Sequence, residues 1–165
     1  MRLFPTLCLG AMMVAGSSAA PALAAPEDCA AIAAAFTKMG DVPAFREQIE
    51  QSGMSFEATA IGDTLYMKLD GEISEMPLGE GGRAQMFAGL FDVLRVKDCK
   101  ALPDDAIDGR SMKVYEYVLP ADGGLIPEPI TQQLWISSDD GLPYRGTNPN
   151  GHIEITYEGV EAPKP

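Results

Sequence analysis

The feature that most constrains the fold is a run of two-residue alternation over residues 45–76, interrupted three times by turn signals. Alternation of this period is typical of strands that have one buried and one exposed face. The interruptions are Ser52-Gly53, Gly62-Asp63 and Asp70-Gly71, and such pairs favour tight hairpin turns. This segment therefore predicts a four-stranded antiparallel meander. Within the predicted strands, the alternation places the members of each of three sets on one face of their strand. The sets are Phe45, Glu47 and Ile49; Met54, Phe56, Ala58 and Ala60; and Leu65, Met67 and Leu69.

One helix is predicted before the meander and one after it. Residues 26–40 begin with proline and two acidic residues, contain an alanine run and end at glycine, which are start, propensity and stop signals. Residues 83–94 carry an apolar stripe at helical spacing, which predicts either a core helix or the lid of an apolar pocket. The stripe consists of Met86, Phe87, Leu90, Phe91 and Leu94.

Four further strands are predicted after the second helix. They lie over residues 112–119, around 132–136, from Pro143 onward and around 153–157. Residues 102–110 are polar and contain Pro103-Asp104-Asp105, so they predict a turn-rich connection rather than a strand. Helices separated from runs of hairpin-connected strands indicate the α+β class.

The amino terminus has the pattern of a signal peptide. A positive start at Arg2 precedes a short apolar run and the small-x-small sequence Ala22-Leu23-Ala24, so residues 1–24 are expected to be cleaved. The apolar run is too short to span a membrane. We therefore expect a periplasmic or secreted protein without an integral membrane segment after cleavage. Residues 25–160 would form a single domain, and residues 161–165 a frayed tail.

Charge and cysteine content restrict the partners and the compartment. The chain has 12 Lys and Arg residues against 24 Asp and Glu residues, a formal net charge of −12. Such an acidic protein is not expected to bind nucleic acid or an anionic membrane surface by charge. Cys29 and Cys99 remain after cleavage and, in an exported protein, predict a disulfide. Loop-closure entropy sets an upper value of about 4 kcal/mol for its contribution.

No pattern in the chain indicates catalysis, a metal site or a cofactor. The single histidine, His152, lies beside a turn glycine and is expected to be an exposed turn residue. No Gly-x-Ser-x-Gly sequence is present, and the Asp-rich segment 104–109 lacks the ligand spacing of an EF-hand loop. A non-enzymatic protein is therefore expected, with no catalytic residues, no metal ligands and no cofactor.

Three later stretches carry a family resemblance. Residues 108–117 are a turn glycine that enters a tyrosine-rich strand, residues 134–145 form a hairpin with a Trp-Ile-x-x-x-x-Gly-Leu-Pro-x-Arg pattern, and residues 155–160 close the series. Together they resemble exported bacterial proteins of the LolA/LolB-like lipoprotein-carrier superfamily, in particular its small members. The hairpin is the most specific of the three, and the resemblance extends over most of the domain in the order of elements.

This resemblance implies a curved antiparallel β-sheet, an incomplete barrel of about eight strands, packed against two or three helices. In that superfamily the apolar space between sheet and helices holds acyl chains or other lipophilic groups. The chain departs from the family in two ways, because it is shorter than typical carriers and has Glu72-Ile73 where related sequences often have a tryptophan after the Asp-Gly turn. The matched motif is a structural hairpin, so no ligand-binding residue is transferred from the family.

Two functions are therefore expected as alternatives. The first is a periplasmic protein that holds a lipid or a lipoprotein acyl chain between the sheet and the helices. Its candidate apolar pocket comprises Leu65, Met67, Met86, Phe87, Leu90, Phe91, Leu134, Ile136, Ile153 and Ile155. The second is an interaction module with a closed core that binds another envelope protein, with an aromatic patch formed by Tyr66, Tyr115, Tyr117 and Trp135.

Overall fold

The computed structural model describes residues 26–94, 96–121 and 126–164, and the side chains of residues 26 and 89–94 fall outside that description. The predicted signal peptide also lies outside the described residues. The described helices are α1 (Pro26–Asp41) and α2 (Gly82–Leu94). The described strands are β1 (Ala44–Gln51), β2 (Met54–Ile61), β3 (Thr64–Leu69), β4 (Glu72–Pro77), β5 (Lys97–Ile107), β6 (Arg110–Leu119), β7 (Ile130–Ser137), β8 (Pro143–Asn148) and β9 (Gly151–Thr156).

All nine described strands form one curved, unclosed antiparallel sheet, in the order β4-β3-β2-β1-β9-β8-β7-β6-β5. The predicted α+β fold is therefore confirmed. The meander β1 to β4 has its turns at the three predicted pairs, and Gly53 and Gly71 both have positive φ. No described helix is both long enough and apolar enough to pass through a bilayer.

The sheet consists of two hairpin series that join where β1 pairs with β9. Glu47 lies opposite Ile155, and Gln51 lies opposite Gly151. A Cβ atom at residue 151 would lie 1.8 Å from the carbonyl oxygen of Glu50, so only glycine permits the strands to approach this closely. The junction thus continues the sheet without a break between the two series.

The prediction of a turn-rich connection over residues 102–110 is wrong, because strand β5 extends through this segment to Ile107. Strand β5 is an edge strand, and its register with β6 shifts between Lys97 and Lys100 and again between Leu102 and Asp105. Pro103 falls within the second shift, and an edge strand with a bulge tolerates a residue that lacks an amide hydrogen. Turn-type residues therefore occupy a strand that pairs on one side only.

Helix α1 covers the later half of the sheet and is fastened to it. The helix contacts β5, β6, β7 and β8. Cys29 of α1 and Cys99 of β5 form the predicted disulfide, and the backbone N–H of Ala101 donates to the carboxylate of Asp28 at 3.0 Å. Helix α2 packs against α1 so closely that a Cβ atom on Gly40 would lie 2.8 Å from the Cβ of Phe87.

The buried side chains form two clusters. The first lies under α1 on β6 and β7, and the second lies where α1 and α2 meet β1, β2 and β9. The first cluster is Ile32, Ala35, Cys99, Tyr117, Leu119, Leu134 and Ile136. The second cluster is Met39, Phe45, Ala60, Phe87, Leu142 and Ile155.

Candidate functional site

An apolar space lies between α2 and the inner face of β1, β2 and β3. We call it the inner cavity. Its volume is about 190 Å³. The strand registers place its floor on one face, because Ala58 pairs with both Glu47 and Met67, and paired residues of antiparallel strands point to the same side. The cavity is lined by Phe45, Glu47, Ile49, Ala58, Ala60, Leu65, Met67, Leu78, Arg83, Met86 and Phe87.

A wider and more open trough continues from the inner cavity, with Met67 lining both spaces. We call it the outer trough. Its volume is about 700 Å³. It is lined by Met54, Phe56, Met67, Leu69, Asp70, Glu72, Ile73 and Ser74.

Large apolar side chains are exposed along both spaces. Met54 is 60% exposed and Leu69 is 49% exposed in the outer trough, and Met86 of α2 is 41% exposed beside the inner cavity. Met76 of the edge strand β4 is 52% exposed. Apolar side chains gathered on one concave face, rather than scattered singly, are typical of a surface that binds a ligand or partner.

The inner end of the cavity is closed by an aromatic contact and a buried arginine. The rings of Phe45 and Phe87 meet edge to face, with centroids 5.6 Å apart. Arg83 is 6% exposed and donates from Nε to the carbonyl of Gly40 at 3.2 Å. Its two terminal nitrogens donate to the carbonyls of Val42 and Pro43. The guanidinium thus donates to carbonyl groups at the end of α1 and in the segment that follows it.

The start of α2 is held by the turn between β2 and β3. The carboxylate of Asp63 accepts hydrogen bonds from the backbone N–H of Gly81 at 2.9 Å and of Arg83 at 3.3 Å. A carboxylate at a helix amino terminus satisfies free amide groups and interacts favourably with the helix dipole. The sequence identifies Asp63 as a turn residue, but its role as a cap for a helix 20 residues later depends on the tertiary fold.

Glu47 is the one carboxylate among the described residues that line the inner cavity. Burial raises the pKa of its carboxyl group to about 7. Tyr157, which follows β9, lies close enough that the Glu47 charge contributes to a raised pKa of its hydroxyl, although burial is the larger cause. The Tyr157 hydroxyl donates to the carbonyl of Pro143 at 2.6 Å.

The ten residues of the predicted pocket do not line one common space in the structure. Four of them, Leu65, Met67, Met86 and Phe87, line the inner cavity. The side chains of Leu90 and Phe91 lie outside the described part of the chain. The remaining four lie in the packed core: Leu134 and Ile136 belong to the first cluster, Ile155 belongs to the second, and Ile153 packs against the second.

Other lining residues were missing from the predicted pocket. The alternation in β1 and β2 contained the signal, because it already grouped Glu47 with Phe45 and Ile49, and Phe56 with Ala58. Neither set was assigned to the pocket, because local periodicity cannot show which strands a helix leaves uncovered.

The predicted aromatic patch does not form as one surface. The prediction that Tyr117 contributes to an exposed patch is wrong. Tyr117 is 4% exposed within the first cluster, and its hydroxyl donates to Gln132 at 2.7 Å. Tyr115 pairs directly with Leu134 and so shares the core-facing side. Trp135 lies on the opposite side, where its indole N–H donates to Asp105 at 2.9 Å. Alternation along β6 therefore buries Tyr117 and partly buries Tyr115 on the core-facing side.

Comparison with known proteins identifies the fold but no family. No protein family model and no curated protein matches the chain. The structure is similar to lipoprotein LppX of Mycobacterium tuberculosis, with a TM-score of 0.54, 18% identity, and coverage of 82% of this chain and 98% of LppX. It is also similar to LprF of Mycobacterium bovis, with a TM-score of 0.51, 12% identity, and coverage of 87% and 97%. At these identities the similarity extends to the fold alone.

Proposed function

We propose that this is a non-enzymatic exported protein that holds a lipophilic group, an acyl chain of a lipid or lipoprotein, in the inner cavity and outer trough. The observation that carries the proposal is the largely apolar inner face of β1 to β3, at one end of which the described α2 side chains Arg83, Met86 and Phe87 lie. Burial of apolar surface contributes roughly 25 cal/mol per Å², so a hydrocarbon chain lying on exposed Met54 and Leu69 would be stabilised there.

The size and composition of the site support this proposal. Ligand pockets commonly span about 300–1,000 Å³ and are mostly apolar with few polar groups, and the two spaces together fall in that range. The LolA/LolB-like resemblance implies the same location for a ligand, between sheet and helices. LppX, which shares the fold, is by its name a lipoprotein.

Location outside the cytoplasm is part of the proposal. A disulfide joins Cys29 and Cys99, and such bonds persist in oxidising compartments such as the periplasm. Together with the signal-peptide pattern of residues 1–24, this supports export.

A role as an interaction module with a closed core is less well supported. That alternative required a filled inner face and an exposed aromatic patch. The inner face is open at β1 to β3, and Tyr117 is buried. An envelope protein that seats an apolar segment in the trough is instead an outcome that the experiment below distinguishes.

The first experiment is native mass spectrometry of the protein purified from a periplasm, followed by denaturation and lipid extraction. We expect extra mass that denaturation releases as a lipid. Delipidated protein should then bind an apolar fluorescent dye and lose it when lipid is added back. A peptide instead of a lipid would indicate a protein partner, and delipidated protein that binds neither lipid nor dye would contradict the proposal.

A pair of variants on β3 locates the site. Met67→Trp should fill the junction of the two spaces and weaken dye binding about tenfold or more. Lys68→Trp places the same side chain on the opposite, exposed face of the strand and should leave dye binding unchanged. Circular dichroism would confirm that both variants fold. Equal dye binding by the two variants would place the ligand elsewhere.

A further inference from the structure

Two ionisable side chains are among the described residues that line the inner cavity, and only one of them is available to a ligand. Arg83 lines the cavity, but its guanidinium already donates to the carbonyls of Gly40, Val42 and Pro43. The carboxyl group of Glu47 receives no hydrogen bond and forms no ion pair with any residue in the described part of the chain.

Glu47 is half-buried, and a carboxylate without a partner in an apolar cavity is costly because it loses part of its hydration without gaining a hydrogen bond or a counter-charge. The raised pKa of Glu47 has this origin. Apolar side chains such as Ile49 and Met67 surround it, and Ala58 opposite it is too small to fill the space. A leucine at residue 47 would fit the alternation of β1 without this cost, so the carboxylate requires a separate explanation.

We propose that the Glu47 carboxylate binds the ammonium group of a lipophilic primary amine, whose hydrocarbon part lies in the inner cavity and extends past Met67 into the outer trough. The inference rests on the proposed function and adds the chemistry of the head group. A carboxylate or phosphate group is disfavoured inside the inner cavity by charge repulsion, because no free cation in the described cavity lining would offset Glu47.

The dimensions of the site agree with this arrangement. A cavity of about 150 Å³ holds a benzene-sized molecule, so the inner cavity, at about 190 Å³, holds the head group and a short part of a chain. Any longer chain continues along Met67 into the trough, since that side chain lines both spaces. The net charge of −12 also favours the approach of a cation over that of an anion.

The test uses three probes with the same chain length: n-hexylamine, 1-hexanol and hexanoate. Each is titrated calorimetrically at pH 8 into the delipidated protein and into the Glu47→Gln variant. We expect hexylamine to bind the unmodified protein at least tenfold more tightly than hexanol, and hexanoate to bind most weakly. In Glu47→Gln, hexylamine and hexanol should bind with similar affinity.

Glu50→Gln is the matched control. Glu50 lies on the same strand with an exposed side chain, near His152, so its substitution changes the net charge equally without touching the cavity. We expect this variant to keep the full preference for the amine. Loss of the preference in Glu50→Gln as well would assign it to overall charge and overturn the inference.

A pH series on the unmodified protein tests the same group without a substitution. The preference for hexylamine should decline between pH 8 and pH 5.5, as Glu47 becomes protonated. Among the described residues, the ionisable groups that line the cavity or interact with Glu47 are Arg83 on α2 and Tyr157 after β9, whose ordinary pKa values lie far above this window. Hexylamine remains charged throughout, since alkylamines titrate near about 10.

The outcomes separate this inference from the proposed function. Hexanol binding without a preference for the amine, or a preference that survives in Glu47→Gln, would overturn the role of Glu47 and leave the apolar site standing. Absence of hexylamine binding would also overturn the role of Glu47, and only the additional absence of lipid and dye binding would overturn the proposed function.

Discussion

The two halves of the sheet have the same alternation of inward and outward side chains, but one half is covered and the other is open. The half made of β5 to β8 is closed: α1 lies on it, the Cys29–Cys99 disulfide fastens the helix, and the first cluster fills the space between. The half made of β1 to β4 is open: α2 reaches its inner end through Phe87, and Met54 and Leu69 remain exposed. A nine-stranded sheet offers more inner face than the two described helices cover.

This difference indicates where stability and function reside. In the closed half, inward side chains such as Leu134 and Ile136 are buried in the first cluster, so their burial stabilises the fold. In the open half apolar side chains such as Leu69 contribute little to folding because they stay in water. Apolar residues retained at such positions are typical of a surface that is covered by a ligand. Four predictions test this contrast, beginning with the largest expected effect.

Removal of the disulfide should damage the closed half most. The double variant Cys29→Ala/Cys99→Ala is expected to lose about 4 kcal/mol in the free energy of unfolding, because the unfolded chain regains the freedom of a long loop. Urea denaturation followed by circular dichroism measures the loss. A loss below about 1 kcal/mol would show that packing on α1, rather than the covalent link, holds this half closed.

Glu47→Gln should stabilise the open half in a pH-dependent way. The pKa of Glu47 is about 7 in the folded protein against an ordinary value of 4.5. The folded state therefore holds its proton more tightly, and the unmodified protein loses stability as pH rises from about 4.5 to about 7. The difference in pKa corresponds to a gain of up to about 3 kcal/mol for the variant at pH 8, which should vanish below pH 4.5.

Urea unfolding at pH 4.5, 6 and 8 measures this gain, and Glu50→Gln is the control on the exposed face. A variant that is less stable than the unmodified protein at pH 8 would show that Glu47 has a favourable partner in the folded state. The contrast between the two halves would then lose this element, because the open half would not contain an unsatisfied charge at Glu47.

Asp63→Ala should loosen α2 over the open half. The substitution removes the acceptor for the N–H groups of Gly81 and Arg83 and is expected to cost about 1–2 kcal/mol. Asp63→Asn keeps an acceptor and should cost less. Hydrogen exchange at the two amide groups reports the local effect. Unchanged exchange in Asp63→Ala would mean that packing against α1 alone positions the helix.

Leu69→Ser should have the smallest effect on stability and a clear effect on binding. Leu69 is 49% exposed, so its substitution is expected to change the free energy of unfolding by no more than about 0.5 kcal/mol. Dye binding in the outer trough should weaken several-fold, as measured by fluorescence titration. A stability loss near that of a buried leucine, about 2–5 kcal/mol, would show that the trough is part of the core.

Much of the architecture could be predicted from local patterns, and the reasons are specific. The turns at Gly53, Gly62 and Gly71 adopt positive φ, which glycine permits at little cost, so they can be recognised without the rest of the fold. The same is true of α1, with proline at its start and Lys38 in its last turn. Strand β5 was not predicted, because proline usually interrupts a strand. Pro103 is tolerated here because β5 lies at the edge of the sheet.

The candidate site could be predicted only in part. Residues of the predicted pocket such as Met67 and Leu134 both lie on inward positions, but β3 and β7 are five places apart in the sheet. Curvature and the position of α1 then place Leu134 in a filled core and leave Met67 beside open space. Sequence periodicity shows which face of a strand a residue lies on. It does not show how far apart two strands lie in the sheet.

By itself, the sequence determined the secondary structure of the meander, both helices, the disulfide partners and the acidic, export-compatible character of the chain. These properties depend on near neighbours, on turn chemistry or on the small number of cysteines. The tertiary structure alone decided that β5 pairs at an edge, that Asp63 caps α2 and that Glu47 faces an apolar cavity without a hydrogen-bond or ion-pair partner among the described residues. Each of these depends on where α1 and α2 lie on a curved sheet, and contacts between residues far apart in the chain set that position.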